Sequence, residues 1–267
     1  MSKIQGNLTE GPILKVLTKL ALPIMASAFL GTAYNITDMA WIGQLGSKAI
    51  AGVGVGGMYV WLSSGLAALS RMGGQVYVAQ SLGKCEREEA KAYASASILL
   101  SVFFGLLFGL VCILFAEPLV SFFQLDDPMA ITHARIYLRI SCGLVVFSFV
   151  SMVLTGLYTA QGDSQTPLKA NFIGLVLNMV LDPLLILGIG PFPRLEAAGA
   201  AIATVIAQVV VMVVMIVMIW NKRTAGNLLR EIHIRKLPNM LYVKKVLKMG
   251  GPTALQSMLY CMFSMVL

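Results

Sequence analysis

Six apolar stretches recur along the chain, separated by short polar patches. They run from about Ile13 to Met39, Ser47 to Leu82, Glu88 to Phe115, from just after Asp126-Asp-Pro128 to Ala160, from Thr166 to Gly188, and from Ala197 to Trp220. Each is long enough to cross a hydrocarbon layer about 30 Å thick as a helix of about 20 residues. Helix is the form required, because backbone polar groups in lipid must be satisfied within the segment. Pro23 inside the first span removes an N–H and predicts a kink. Glu86, Glu88 and Glu89 suit the N-terminus of the third helix. The fifth span stops at the Gly/Pro-rich segment Gly188-Ile-Gly-Pro-Phe-Pro193.

Residues 221–248 break the pattern. They are basic, interspersed with leucine and isoleucine, and interrupted by Pro238. They read as a cytoplasmic linker, either a solvated loop or in part an amphipathic helix on the membrane surface. Beyond them an internal repeat appears. Lys15-Val-Leu-Thr-Lys-Leu-Ala-Leu-Pro23 aligns with Lys244-Lys-Val-Leu-Lys-Met-Gly-Gly-Pro252 at a constant offset of 229 residues. Six spans per copy and a basic linker imply two lobes totalling roughly 450 residues, the plan of repeat-built transporters. The expected organisation is a six-helix lobe over 1–220, a linker over 221–248 and the start of a second lobe over 249–267. On this reading the C-terminal lobe is missing from the chain.

Composition agrees with a membrane protein. Hydrophobic residues make up 58% and charged residues 12%, and the mean hydropathy is +0.82. Of the 20 Lys and Arg residues, 15 fall on the N-terminal side, eight of these between Lys222 and Lys248; Lys48, Arg135, Arg139 and Arg194 fall on the other, and Arg71 lies within a span. This bias predicts a multi-pass protein of the cytoplasmic membrane with a cytoplasmic N-terminus. The net charge of +8 then reads as topology and contact with membrane lipids, not as a nucleic-acid partner. The start of the chain lacks the apolar h-region of a removable signal peptide. Cys85, Cys112, Cys142 and Cys261 are scattered without metal or disulfide spacing, and read as small core residues.

The sharpest candidate chemistry is carboxylate in lipid. Asp38 is the sole charge between Lys19 and Lys48, and Asp182 the sole charge between Lys169 and Arg194. A mid-bilayer carboxylate costs about 3 kcal/mol on insertion scales, so such residues face a cavity or a partner. Both fall in the outer part of outward-running spans, roughly 10 Å deep, and Thr204 reaches a similar depth on the inward-running sixth. Asn178 shares a helix face with Asp182, as Tyr34 does with Asp38. Pro183 leaves the carbonyl of Met179 without a helical donor, which suits a hard cation or a protonated acid. Alternatively, Asp182 caps a half-helix beginning at Pro183, which leaves Asp38 unexplained. Two close carboxylates in a low dielectric do not readily both ionise without a cation, so the pair is a candidate proton or sodium switch.

Other motifs carry less. Gly52-Val-Gly-Val-Gly-Gly57 matches a dinucleotide fingerprint only formally, since it follows no strand and no acidic residue stands about 20 positions on. Close helix packing is the expected role, as for Gly105 and Gly109. Arg71 faces a cavity or snorkels. The sixteen methionines fill core gaps or line an adaptable pocket. His133 and His233 have no ligand cluster, and no nucleophile–base constellation points to an enzyme.

Taken together, Pro23, Thr37–Gly54, Val78–Ala90, Gly156–Asn171, the Asn-Met-Val-Leu-Asp-Pro-Leu-Leu-Ile stretch at 178–186 and the repeat start at Leu247-Lys-Met-Gly-Gly-Pro252 resemble the multidrug and toxic compound extrusion (MATE) family over essentially the whole chain. The resemblance implies an all-α membrane protein, with this chain the six-helix N-lobe and the start of a seventh helix of a twelve-helix, two-lobe transporter. It implies no cofactor beyond a coupling ion, H+ or Na+, and efflux of amphiphilic, often cationic small molecules. Its N-lobe cation site corresponds to Asp38, Asn178, Asp182 and Thr204, with Tyr34 and Tyr137 nearby, and Pro23 corresponds to the point where the first helix bends. The runner-up is a flippase for lipid-linked precursors, which calls for a basic cavity. A third reading is a single-lobe membrane scaffold.

Overall fold

The computed structural model describes residues 13–189, 193–220, 228–232 and 239–266. Among these residues there is no strand. The helices are α1 (Ile13–Gly43), α2 (Ser47–Gly83), α3 (Arg87–Leu114), α4 (Ala116–Ser121), α5 (Pro128–Ser141), α6 (Val146–Ala160), α7 (Gln165–Ile186), α8 (Ala197–Trp220) and α9 (Met240–Val266), with a short 3-10 turn at Leu228–Glu231 before α9. Five of them (α2, α3, α7, α8 and α1 from Leu20) are long and apolar enough to cross a membrane, and the bent pair α5–α6 is so when taken as one span.

Several boundaries have local causes. The Asp127 carboxylate accepts from the Met129 amide at 2.8 Å with Pro128 at the first helical position, starting α5. Asp163 accepts from the amides of Gln165 and Thr166 and from the Thr166 hydroxyl, starting α7. Glu88 and Glu89 occupy the first turn of α3, favourable against the helix dipole. Gly46 turns the chain between α1 and α2 at φ +98°, where a side chain is strained.

Three boundaries depart from the sequence reading. First, α1 continues to Gly43, beyond Met39, with Pro23 inside it. Second, the fourth span is broken: α5 and α6 meet at 50°. Up to Leu144 each amide bonds the carbonyl four residues back, but the Val145 amide bonds Cys142. The break lies where α3 presses in, since a Cβ on Gly109 would stand 2.7 Å from the Gly143 carbonyl oxygen. Glycine is a weak helix former, so Gly143 yields there. Third, α9 begins at Met240, so the last residues read as linker are helical. Of the remaining linker, residues 221–227 and 233–238, His233 and Pro238 included, lie outside the described residues. Leu228 and Leu229 are buried in the core, not laid on a membrane surface.

Helix α2 is the hub, and small residues let its neighbours close in. An added Cβ would lie 2.6 Å from the Ala130 carbonyl at Gly52, 2.6 Å from the Tyr137 ring at Gly56, and inside contact distance of the Ser97 hydroxyl at Gly74. This is the close packing expected of the Gly52–Gly57 run. Along another face α2 meets α9 through Gly65 and Gly73, and Gly250 of α9 abuts the Leu69 backbone. Aromatic pairs tie the same region: Tyr77 stacks on Tyr93 at 4.7 Å, Tyr242 meets Tyr93 edge-on, and Trp61 meets Tyr260 edge-on. Cys112, Cys142 and Cys261 are buried, as expected of small core residues, while Cys85 is exposed in the α2–α3 turn at φ 64°.

The turn between α8 and α9 is clasped to the bundle. Arg87 donates twice to Glu231, from Nη2 at 2.6 Å and Nε at 3.2 Å, and Lys91 pairs with the same carboxylate at 2.8 Å. The Leu228 amide donates to Gln161 Oε1 at 2.8 Å.

Candidate functional site

Helices α1, α7 and α8 bring five polar side chains together. Tyr34 and Asp38 stand one turn apart on α1, Asn178 and Asp182 one turn apart on α7, and Thr204 on α8. Asp38 is 7% exposed, while Asn178 and Asp182 are fully buried. Asp38 lies five residues before the end of α1 and Asp182 four before the end of α7.

Asn178 Nδ2 donates to Asp182 Oδ1 at 2.9 Å. The Tyr34 hydroxyl lies beside Thr204, and Asp38, Asp182 and Tyr137 are within electrostatic reach of it. Yet the Tyr34 hydroxyl, Asp38 Oδ1, Asn178 Oδ1, Asp182 Oδ2 and the Thr204 hydroxyl are all buried with no hydrogen-bond partner among the described residues. Buried polar atoms are ordinarily satisfied. Five unpartnered oxygens from three helices are a donor set for a hard cation or a shared proton. Among the described residues no group of three or more His, Cys, Asp or Glu side chains is placed to hold a metal ion.

Beside the cluster opens a cavity of about 880 Å³, within the range of small-molecule sites. Tyr34, Asp38, Tyr137 and Thr204 reach its wall, with Asn178 and Asp182 behind them. Gly56 seats the Tyr137 ring. Trp61, Met39 and Met58 supply apolar lining. Among the described residues no lysine or arginine lines the cavity.

The remaining expectations divide. Pro23, 15 residues from Asp38, stands about 22 Å along α1 at 1.5 Å per residue and is no part of the cluster. One turn before Pro23, the Leu20 carbonyl accepts from the Ser164 hydroxyl at 3.1 Å. Helix α7 runs unbroken through Pro183, so Asp182 is not the cap of a half-helix. Met179 is 45% exposed and is not among the cavity's lining residues; the group that Pro183 leaves without a helical donor is its backbone carbonyl. Arg71 packs against Gly156 with its Nε buried and unpartnered, and is not on this cavity wall. His133 approaches Glu196 at 3.6 Å.

Sequence reasoning missed Asn171 and Gln208, which also line the cavity. The signal was present, since Gln208 follows Thr204 by four on one face of α8 and Asn171 precedes Asn178 by two turns.

The MatE family model matches residues 23–184 of this chain. The chain belongs to the MatE family. Members of this family are transporters, not enzymes. The chain is 28% identical over 255 residues to the probable multidrug resistance protein NorM of Thermotoga maritima, an overlap of 93% of this chain and 52% of that protein. It is 29% identical over 207 residues to the FAD transporter of Shewanella oneidensis, covering 77% of this chain and 45% of that protein. The fold matches a solved MOP-superfamily transporter from Pyrococcus furiosus with a TM-score of 0.84 at 25% identity, over 96% of this chain and 55% of that one. The chain spans about half the length of the curated relatives it matches. The helices are therefore those of half of a two-lobe MatE transporter.

Proposed function

We propose that the whole protein exports amphiphilic, often cationic small molecules by antiport with H+ or Na+ across the cytoplasmic membrane, this chain being its N-terminal half. The observation that carries the reading is the buried oxygen cluster of Asp38, Asn178, Asp182 and Thr204 beside a cavity whose described wall has carboxylate but no basic side chain. Two carboxylates in a low-dielectric site favour capture of a positive charge. The apolar and aromatic wall accommodates bulky amphiphiles.

In this mechanism the outward-facing cluster takes up a cation, the five oxygens gain partners, and α1, free of an N–H at Pro23, bends. The cavity narrows and drug affinity falls. The coupling rests on differential affinity: the cation binds the bent state better and the drug the straight state. A coupling of about 1–3 kcal/mol changes drug affinity about 5–150-fold. A precursor flippase fits less well, because phosphate recognition needs basic groups that this wall does not offer.

The test is Asp38→Asn in the full-length protein in vesicles, with proton and sodium gradients imposed separately. Drug export by the parent follows one gradient, which names the ion, and the variant loses that dependence. Unchanged export with unchanged gradient dependence would overturn the proposal.

A further inference from the structure

Two amides in the apolar spans have no place in the cation cluster. Beyond Lys169, α7 carries only Asn171, Asn178 and Asp182 as polar side chains, and α8 carries only Thr204, Gln208 and the Trp220 indole. A primary amide in such a span is costly unless it faces a partner or a cavity. Asn171 and Gln208 line the cavity, as does Ser27 of α1, and no hydrogen bond among the described residues engages either amide. Asn171 precedes Asp182 by 11 residues and Ser27 precedes Asp38 by 11, so both stand about 16 Å along the helix axes from the carboxylates. Gly174, eight residues before Asp182, lies against Ala207 and Val211, which sets Gln208 about 12 Å from the same level. Between the two polar ends the wall includes Gly31, Gly54, Gly57 and Leu175. An added Cβ at any of these three glycines would meet nothing within 4 Å, so they keep space open where other glycines of the bundle close it. The cavity is a slot with carboxylate at one end, an open apolar middle and neutral amides at the other.

We propose that Asn171 and Gln208 form a second recognition point for the exported molecule, holding an uncharged hydrogen-bonding group while the cationic centre of the same molecule sits at Asp38. The inference rests on the export reading above and narrows its substrate class. The slot selects cations that carry a carboxamide, ketone or hydroxyl about 12–16 Å from the charge, joined by an apolar connector. A primary amide both donates and accepts, so two of them match a neutral polar group and leave a second charge without a counter-ion. A molecule of the same length with an apolar end leaves both amides unpaired, and sites built this way reject such analogues.

The test is equilibrium titration of the full-length protein in lipid nanodiscs, with no gradient imposed. The probes are alkyl trimethylammonium ions whose chains span about 16 Å and end in either a carboxamide or a methyl group; a second pair has chains half as long. After correction for partition into empty nanodiscs, the parent is expected to bind the long carboxamide about tenfold more tightly than the long methyl probe. The short pair should show no preference. In the double variant Asn171→Leu, Gln208→Leu the long-pair preference disappears, and the methyl-terminated probe binds more tightly than it does to the parent. Equal affinity of the parent for the long pair, the same preference in the short pair, or a preference that survives the double variant would each overturn the proposal. The first two are read on the parent alone, so the outcome does not depend on the variant folding. If the parent binds the long pair equally, this inference fails and the export reading stands; if it binds none of the probes, both fail.

Discussion

Replacing Glu231 by glutamine loosens the clasp that holds the Leu228–Glu231 turn to the bundle. One carboxylate there serves two cations, Arg87 in a two-pronged contact and Lys91 at 2.8 Å. Exposed pairs contribute about 0.2–1 kcal/mol each. The Glu231 side chain is 41% exposed, so the two pairs together are discounted to about 1 kcal/mol, or about fivefold in the docking equilibrium. The turn does not detach in the variant, because burial of Leu228 and Leu229 contributes about 1.5–3 kcal/mol each. Hydrogen exchange reads the local event, since the Leu228 amide is held by Gln161 Oε1. Its protection, corrected for intrinsic rate, is expected to fall about fivefold while amides within α3 keep theirs.

The pH dependence has a definite sign. Lys91 first, then Arg87, hold the Glu231 carboxyl below its usual range. The charged form therefore stabilises the docked turn above the undocked value of about 4.3, and that contribution disappears as pH falls through the depressed docked value. Parent protection is flat from neutrality to about pH 5 and declines below it, whereas Glu231→Gln shows no such decline. Unchanged protection in the variant, or an identical acid limb in both proteins, would refute the assignment of docking energy to these ion pairs.

Two other substitutions probe packing and the site. Gly250→Ala puts a methyl against the Leu69 backbone, which has no rotamer with which to yield; a cost of about 1–3 kcal/mol is expected as a lower thermal-unfolding midpoint in detergent. Gly56→Val displaces the Tyr137 ring, whose Cδ1 would stand 2.6 Å from the new Cβ. It should weaken drug binding in the full-length protein, measured by equilibrium titration.

Charge in an apolar run is legible one residue at a time, which is why Asp38 and Asp182 stood out while Asn171 and Gln208 did not. Span positions were legible for the same reason, as lipid requires long apolar runs. The break between α5 and α6 was not, because Leu138 to Val150 reads as continuous helix and its cause, Gly109, is far away in sequence. Helix α4 did leave a sign, Pro118 in its first turn. The docking of Leu228 and Leu229 depends on Arg87, Lys91 and Gln161, partners that spacing alone does not connect to them.

The seam between α2 and α9 joins the first lobe to the first helix of the repeat. Along it Gly65 and Gly73 of α2 are the seats for Met258 and Val246 of α9, and Gly250 of α9 lies on the Leu69 backbone. Side chains seated in this way would have to leave their rotamer wells before one helix turned against the other. The edge-on rings of Trp61 and Tyr260 close the same seam. Three missing methyl groups thus set how near the repeat's first helix stands to the first lobe.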